Sequence, residues 1–118
     1  MGLRLMVVED DDDFLRALRW RLRNNEVEVH QVTSPHEAIR LLRLEQPPDY
    51  DFILSDLMFR GCATGEDVIR AARARGIPSL LCSDLLEFFA PEGCIRKFKL
   101  LERPWTFIQA LLPTSALT

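Results

Sequence analysis

The chain has 118 residues, 15 of them Lys or Arg and 18 Asp or Glu, which gives a formal charge of −3. This length suits a single domain spanning 1–118, with its core in about 3–112. An apolar fraction of 47% excludes a disordered chain, and no run reaches the ~18 consecutive apolar residues of a membrane span. The three cysteines lack zinc-site spacing, and the acidic balance argues against nucleic acid as a direct partner. We expect a cytoplasmic protein with no membrane partner.

The first quarter of the chain predicts a strand, a helix and a second strand. The apolar run Leu3–Val8 is typical of a strand buried on both faces. Asp11 or Asp12 caps the helix that follows, and Asn24 and Asn25 end it. A half-polar stretch with three valines comes next, and this pattern favours a strand at the edge of a sheet.

The second helix has a clear N-terminal signal. Ser34 is in the N-cap position, Pro35 occupies the first helical position, and Glu37 completes a capping box. Two prolines then break the chain before Phe52–Leu54, a buried strand that continues into Asp56.

The second half of the chain predicts further alternation of helices and strands. Thr64 caps a third helix, and Leu80–Cys82 forms a fourth strand. Asp84–Phe89 is interpreted as a short helix, Phe98–Leu101 as the fifth strand, and Trp105–Leu112 as the final helix. Five strands alternating with helices predict an α/β fold: a flavodoxin-like, doubly wound parallel sheet in the order 2-1-3-4-5, with helices on both faces.

Chemically active side chains follow the predicted strands at their carboxyl ends, where parallel α/β sheets place their active crevice. Glu9 and Asp10 follow the first strand, Asp56 ends the third, Ser83 ends the fourth, and Arg103 follows the fifth. Three neighbouring carboxylates repel one another unless a cation joins them, and Mg²⁺ prefers oxygen ligands of this kind. An aspartate here can also be a nucleophile that forms an aspartyl phosphate. Ser83 could then donate a hydrogen bond, and Arg103 could supply fixed positive charge.

These motifs together resemble the receiver domain of two-component response regulators. The residues that carry the resemblance are Val7-Val8-Glu9-Asp10, Asp51–Met58 followed by Gly61, Ile77-Pro78 with Ser83, and Arg103-Pro104-Trp105. The resemblance implies that Asp56 accepts a phosphoryl group from a histidine kinase or a phosphotransfer protein. It also implies that Glu9, Asp10, Asp56 and the Met58 backbone carbonyl hold Mg²⁺.

The resemblance further implies a signalling domain, not an enzyme. Ser83 would contact the phosphoryl group, and Arg103 stands where the family has a lysine. A downstream protein or a second copy of the chain would bind the face formed by the fourth helix, fifth strand and fifth helix. Asp84 departs from the small residue that the family prefers, and we hypothesise that it pairs with Arg103 in the unphosphorylated state.

Two alternatives remain at the level of sequence. The first is an atypical receiver that binds proteins independently of phosphorylation, which the departures from the family pattern at Arg103, Asp84 and Leu100 suggest. The second is a small hydrolase or flavin carrier of similar topology. The chain lacks a phosphate-binding loop after Val8 and a cap domain, so this second class is disfavoured.

Overall fold

The computed structural model describes residues 2–46, 49–59, 64–84 and 93–113. Its strands are β1 (Leu3–Val8), β2 (Val27–Val32), β3 (Phe52–Asp56), β4 (Ser79–Ser83) and β5 (Ile95–Arg96). Its helices are α1 (Asp12–Leu22), α2 (Pro35–Leu42), α3 (Gly65–Ala74), α4 (Lys97–Glu102) and α5 (Pro104–Leu111). No helix in these ranges is long and apolar enough to cross a membrane.

The strands form one sheet in the order β2-β1-β3-β4-β5, and every neighbouring pair is parallel. The predicted flavodoxin-like order is therefore confirmed. Alternate side chains of β1 enter opposite cores: Leu5 and Val7 pack with α1, α4 and α5, whereas Met6 and Val8 pack with α2 and α3. Helices thus cover both faces, and all strands end at the same edge of the sheet.

Side-chain caps fix where the helices begin. The Asp11 carboxylate accepts hydrogen bonds from the amides of Asp13 and Phe14, as predicted for the start of α1. At the start of α3, Thr64 and Asp67 form a capping box, with the Thr64 amide 2.8 Å from Asp67 Oδ2.

Gly65 allows α3 to approach the end of β3 closely. Its amide donates to the carbonyl of Leu57 at 3.0 Å, which ties the helix start to the chain just beyond Asp56. A Cβ atom at this position would lie 1.9 Å from the Asp56 carbonyl oxygen. Glycine is therefore required by the space available rather than by its backbone conformation.

The prediction of the fifth strand at Phe98–Leu101 is wrong. β5 is the two-residue strand Ile95–Arg96, and residues 97–102 form α4. Leu100 is completely buried, whereas Phe98 is 57% exposed. Two residues at this spacing share a face in a strand but not in a helix, so the burial pattern is that of a helix.

The other predictions for this region differ in outcome. The final helix is confirmed, with Pro104 in its first turn. Of the predicted short helix from Asp84 to Phe89, only Asp84 is among the described residues. Gly61 also lies outside the described residues.

Candidate functional site

Three carboxylates meet at the carboxyl edge of the sheet, as the positions of the strand ends predict. Glu9 and Asp10 follow β1, and Asp56 is the last residue of the neighbouring strand β3. One carboxylate oxygen from each residue lies within 4.8 Å of the others. Glu9 is completely buried, and the amide of Asp11 donates to its Oε1 at 3.0 Å. The arrangement concentrates negative charge in a confined space.

Lys97 supplies the positive charge of this site. Its Nζ atom lies 2.9 Å from Glu9 Oε2, 3.4 Å from Asp56 Oδ2 and 3.9 Å from Asp84 Oδ2. Lys97 is the first residue of α4, directly after β5, and it is buried. The ammonium group also lies 5.0 Å from the centre of the Phe14 ring, which closes one side of the site. One lysine therefore bridges carboxylates from three strand ends.

The prediction that Arg103 follows the end of the fifth strand is wrong, and Lys97 occupies that position. Arg103 is exposed at the junction between α4 and α5, six residues beyond Lys97. The proline that follows it begins a helix and does not mark the end of a strand. The hypothesised pairing of Asp84 with Arg103 is likewise replaced by the contact between Asp84 and Lys97.

A signal for Lys97 does exist in the sequence. The chain has only two lysines among its 15 basic residues, and Lys97 directly follows Ile95-Arg96, which is long enough to form a very short strand. The longer apolar run Phe98–Leu101 masked this short strand, so the predicted end of the fifth strand lay too far along the chain.

Ser83 lies at the same edge of the sheet as the carboxylates. It ends β4, it is buried, and it directly follows Cys82, the residue paired with Asp56 across the sheet. Met58 lies two residues past Asp56, and hydrogen bonding of its backbone amide to Asp56 favours the charged carboxylate. The role of the Met58 carbonyl as a metal ligand stays a prediction.

Burial and the lysine act in opposite directions on the acids. Burial raises the pKa of both Glu9 and Asp56 above their ordinary values, although the nearby Lys97 ammonium group opposes that shift. For Lys97, burial alone would lower the pKa. The close ion pair with Glu9 and the charge of Asp56 outweigh burial, so that its pKa is raised and the amine is charged at neutral pH.

The donor set fits a hard divalent cation. Glu9, Asp10 and Asp56 offer oxygen atoms alone, and their spacing lets one ion contact all three. A dication would also offset the mutual repulsion that Lys97 only partly relieves.

No protein-family model matches the chain. Among curated proteins, it is similar to the two-component response regulator ARR11 of Arabidopsis thaliana, with 40% identity over 57 residues. That segment is 48% of this chain and 11% of the Arabidopsis protein.

Solved receiver domains superpose over nearly the whole chain. The response regulator TrrA from Thermotoga maritima gives a TM-score of 0.74 at 19% identity, covering 93% of this chain and 99% of its own. The signal receiver domain of a LuxO repressor protein from Vibrio parahaemolyticus gives 0.72 at 19% identity, covering 99% and 95%. The chain has the receiver fold. The predicted resemblance to response-regulator receiver domains is confirmed.

Two of these receiver structures contain magnesium. TrrA was solved in complex with Mg²⁺ and beryllium fluoride. The receiver domain of the sensor histidine kinase PA1611 from Pseudomonas aeruginosa has a magnesium ion coordinated in its active-site cleft. It gives a TM-score of 0.66 at 20% identity and covers 94% of this chain and 98% of its own.

Proposed function

We propose that this receiver-fold chain accepts a phosphoryl group on Asp56 and thereby changes a protein-binding surface. The observation that carries the proposal is the placement of Asp56 between two other carboxylates and a buried lysine. A histidine kinase or a phosphotransfer protein would donate the phosphoryl group to Asp56. A downstream protein or a second copy of the chain would bind the surface that phosphorylation changes. The chain would act as a signalling domain without turnover of a separate substrate.

The chemistry requires a nucleophile, a leaving group and compensation of charge. An Asp56 carboxylate oxygen attacks the phosphorus of the donor, a P–O bond forms, and the bond from phosphorus to the donor breaks. With an acyl phosphate donor, the carboxylate of the acid leaves with the bonding electrons. Glu9, Asp10 and Asp56 would hold Mg²⁺, which stabilises charge on the transferring phosphoryl oxygens when it is bound.

Lys97 and Ser83 would complete the phosphoryl site. The Lys97 ammonium lies 3.4 Å from Asp56 Oδ2, within reach of an oxygen added to that carboxylate. Ser83 lies one residue beyond Cys82, the partner of Asp56 across the sheet, so its hydroxyl could donate to the phosphoryl group. Lys97 also weakens the case for an atypical receiver, because the substitution at Arg103 was one of the features that suggested it.

Intact mass spectrometry tests the phosphoacceptor directly. Incubation of the chain with Mg²⁺ and acetyl phosphate is expected to add the mass of one phosphoryl group, and chelation of Mg²⁺ is expected to prevent it. Asp56→Asn should abolish the adduct. Asp49→Asn is the matched control because it makes the same change before the opposite end of β3, and it should leave the adduct unchanged. An unmodified wild-type chain, or an adduct that survives Asp56→Asn, would contradict the proposal.

A further inference from the structure

Asp84 is the third carboxylate around the Lys97 ammonium, and it differs from the other two. The side chains of Glu9 and Asp56 are 1% and 12% exposed, whereas that of Asp84 is 79% exposed. It is also the most distant of the three, with 3.9 Å between Asp84 Oδ2 and Lys97 Nζ. Asp84 therefore approaches the lysine from the solvent side of the site.

An incoming phosphoryl group would have to approach Asp56 from solvent. Of the three carboxylates near Lys97, Glu9 and Asp56 are buried, and only Asp84 is exposed to solvent. An ammonium has three N–H donors, and here carboxylates surround it. A phosphoryl oxygen attached to Asp56 would compete for Lys97 with the carboxylates that already lie near the ammonium group. The exposed contact at 3.9 Å costs least to give up, because the 2.9 Å contact to Glu9 is buried.

We propose that Asp84 is a positioning residue that holds Lys97 in the unphosphorylated chain and is displaced when the phosphoryl group binds. This inference rests on the proposed function of Asp56. It assigns to Asp84 the effect of slowing phosphorylation, because its carboxylate and the incoming phosphoryl group compete for the same positive charge. In the phosphorylated chain, Asp84 would compete with the phosphoryl oxygens for the same ammonium.

The size of the effect follows from one exposed charge pair. The interaction energy of two unit charges about 4 Å apart in water corresponds to a factor of about five in an equilibrium constant. Removing the Asp84 charge should therefore raise the phosphorylation rate by about fivefold at low salt. The gain should shrink as salt screens the exposed carboxylate.

The experiment compares Asp84→Asn, which removes the charge, with Asp84→Glu, which keeps it. Phosphorylation by acetyl phosphate with Mg²⁺ is followed by intact mass at low and high salt. Glu45→Gln is the matched control for net charge. It removes one negative charge just after α2, at the opposite edge of the sheet.

A second measurement observes Lys97 itself. The chain has only two lysines, so selective ¹³C labelling gives two sets of side-chain signals, and Lys99→Arg assigns them. Asp84→Asn is expected to shift the Lys97 Cε–Hε signal in the unphosphorylated chain and to leave Lys99 in place.

The proposal is supported if Asp84→Asn shifts the Lys97 signal and accelerates phosphorylation while Asp84→Glu and Glu45→Gln behave as wild type. Equal rates in wild type and Asp84→Asn overturn it and leave the function of Asp56 intact. Faster phosphorylation without a shift at Lys97 also overturns it, because general charge repulsion then explains the rate. Absence of any adduct in both wild type and Asp84→Asn instead overturns the proposed function, and the role of Asp84 falls with it.

Discussion

Lys97 is the residue on which the charge balance of the site depends. It pairs with Glu9 and Asp56, whereas Arg103 is exposed between two helices. We expect Lys97→Gln to slow phosphorylation of Asp56 by at least about tenfold, because it removes a charge close to the transferring group. Arg103→Gln also removes one positive charge, but at an exposed position away from the site, and it should leave the rate of phosphorylation unchanged. Mass spectrometry with acetyl phosphate measures both, and a larger loss with Arg103→Gln would contradict the assignment.

The acids of the site could be predicted from sequence, whereas its cation left only a weak local signal. Carboxyl ends of parallel strands meet at one edge, so Glu9, Asp10 and Asp56 were expected to lie close together once two apolar runs were recognised as neighbouring strands. Lys97 follows a strand of only two residues, which is too short to show alternation. Its position depends on pairing with β4, and such pairing is not visible in the local sequence.

At the scale of elements, substitutions in α4 can distinguish a helix from a strand at residues 97–102. Leu100 is buried between the sheet and the helices α1 and α5, whereas Phe98 projects into solvent. Leu100→Ala should lower the free energy of unfolding by about 2–5 kcal/mol. Phe98→Ala should change it by less than about 0.5 kcal/mol. Chemical denaturation measures both, and similar losses for the two would favour a strand with both side chains on one face.

The close contact of Gly65 in α3 with the end of β3 leads to a second prediction at this scale. Alanine in the first turn of a helix is ordinarily favourable, yet at Gly65 its Cβ would meet the Asp56 carbonyl. Gly65→Ala should therefore cost about 2 kcal/mol or more, and it should slow phosphorylation by shifting Asp56.

Gly76→Ala serves as the comparison for this contact. Gly76 has a φ of +69° and open space around its Cβ position, so alanine should cost about 1 kcal/mol without affecting the site. Unfolding curves together with phosphorylation rates test the pair. A Gly65→Ala chain with wild-type stability would show that α3 can move away from β3 at no cost.

At the scale of the whole molecule, buried charge links the site to stability. Burial raises the pKa of Asp56, so the folded chain binds this proton more tightly than the unfolded chain. Without metal, the contribution of Asp56 to the free energy of unfolding is therefore most favourable in acid and decreases as pH rises through the raised pKa. Lys97 remains paired with Glu9 when Asp56 is neutral.

Asp56→Asn should therefore stabilise the metal-free chain by about 1 kcal/mol at neutral pH. This gain should disappear in acid, where wild-type Asp56 is also neutral. Mg²⁺ should stabilise the wild type and have little effect on the variant. Thermal unfolding across pH, with and without Mg²⁺, measures this, and Asp49→Asn should show neither effect. A gain that is the same at every pH would point to packing instead of charge.

The order of the sheet was predictable because two kinds of pattern agreed. Apolar runs indicated buried central strands, a half-polar run indicated an edge, and helix caps at Asp11, Ser34 and Thr64 separated them. The pattern failed after β4, where a two-residue strand leads directly into a helix. Apolar residues at 98, 100 and 101 fit either structure locally, and only packing against α1 and α5 selects the helix.

The sheet divides the interior into two layers that do not mix, and Lys97 begins a helix in only one of them. Three residues further along that helix, Leu100 is embedded among the apolar side chains of α1 and α5. Displacement of the ammonium group would therefore act on this layer directly, because Lys97 and Leu100 belong to the same helix. The layer under α2 and α3 lies on the other face of the sheet, and we expect the effect to reach it through the contact of Gly65 with Leu57 beyond the end of β3.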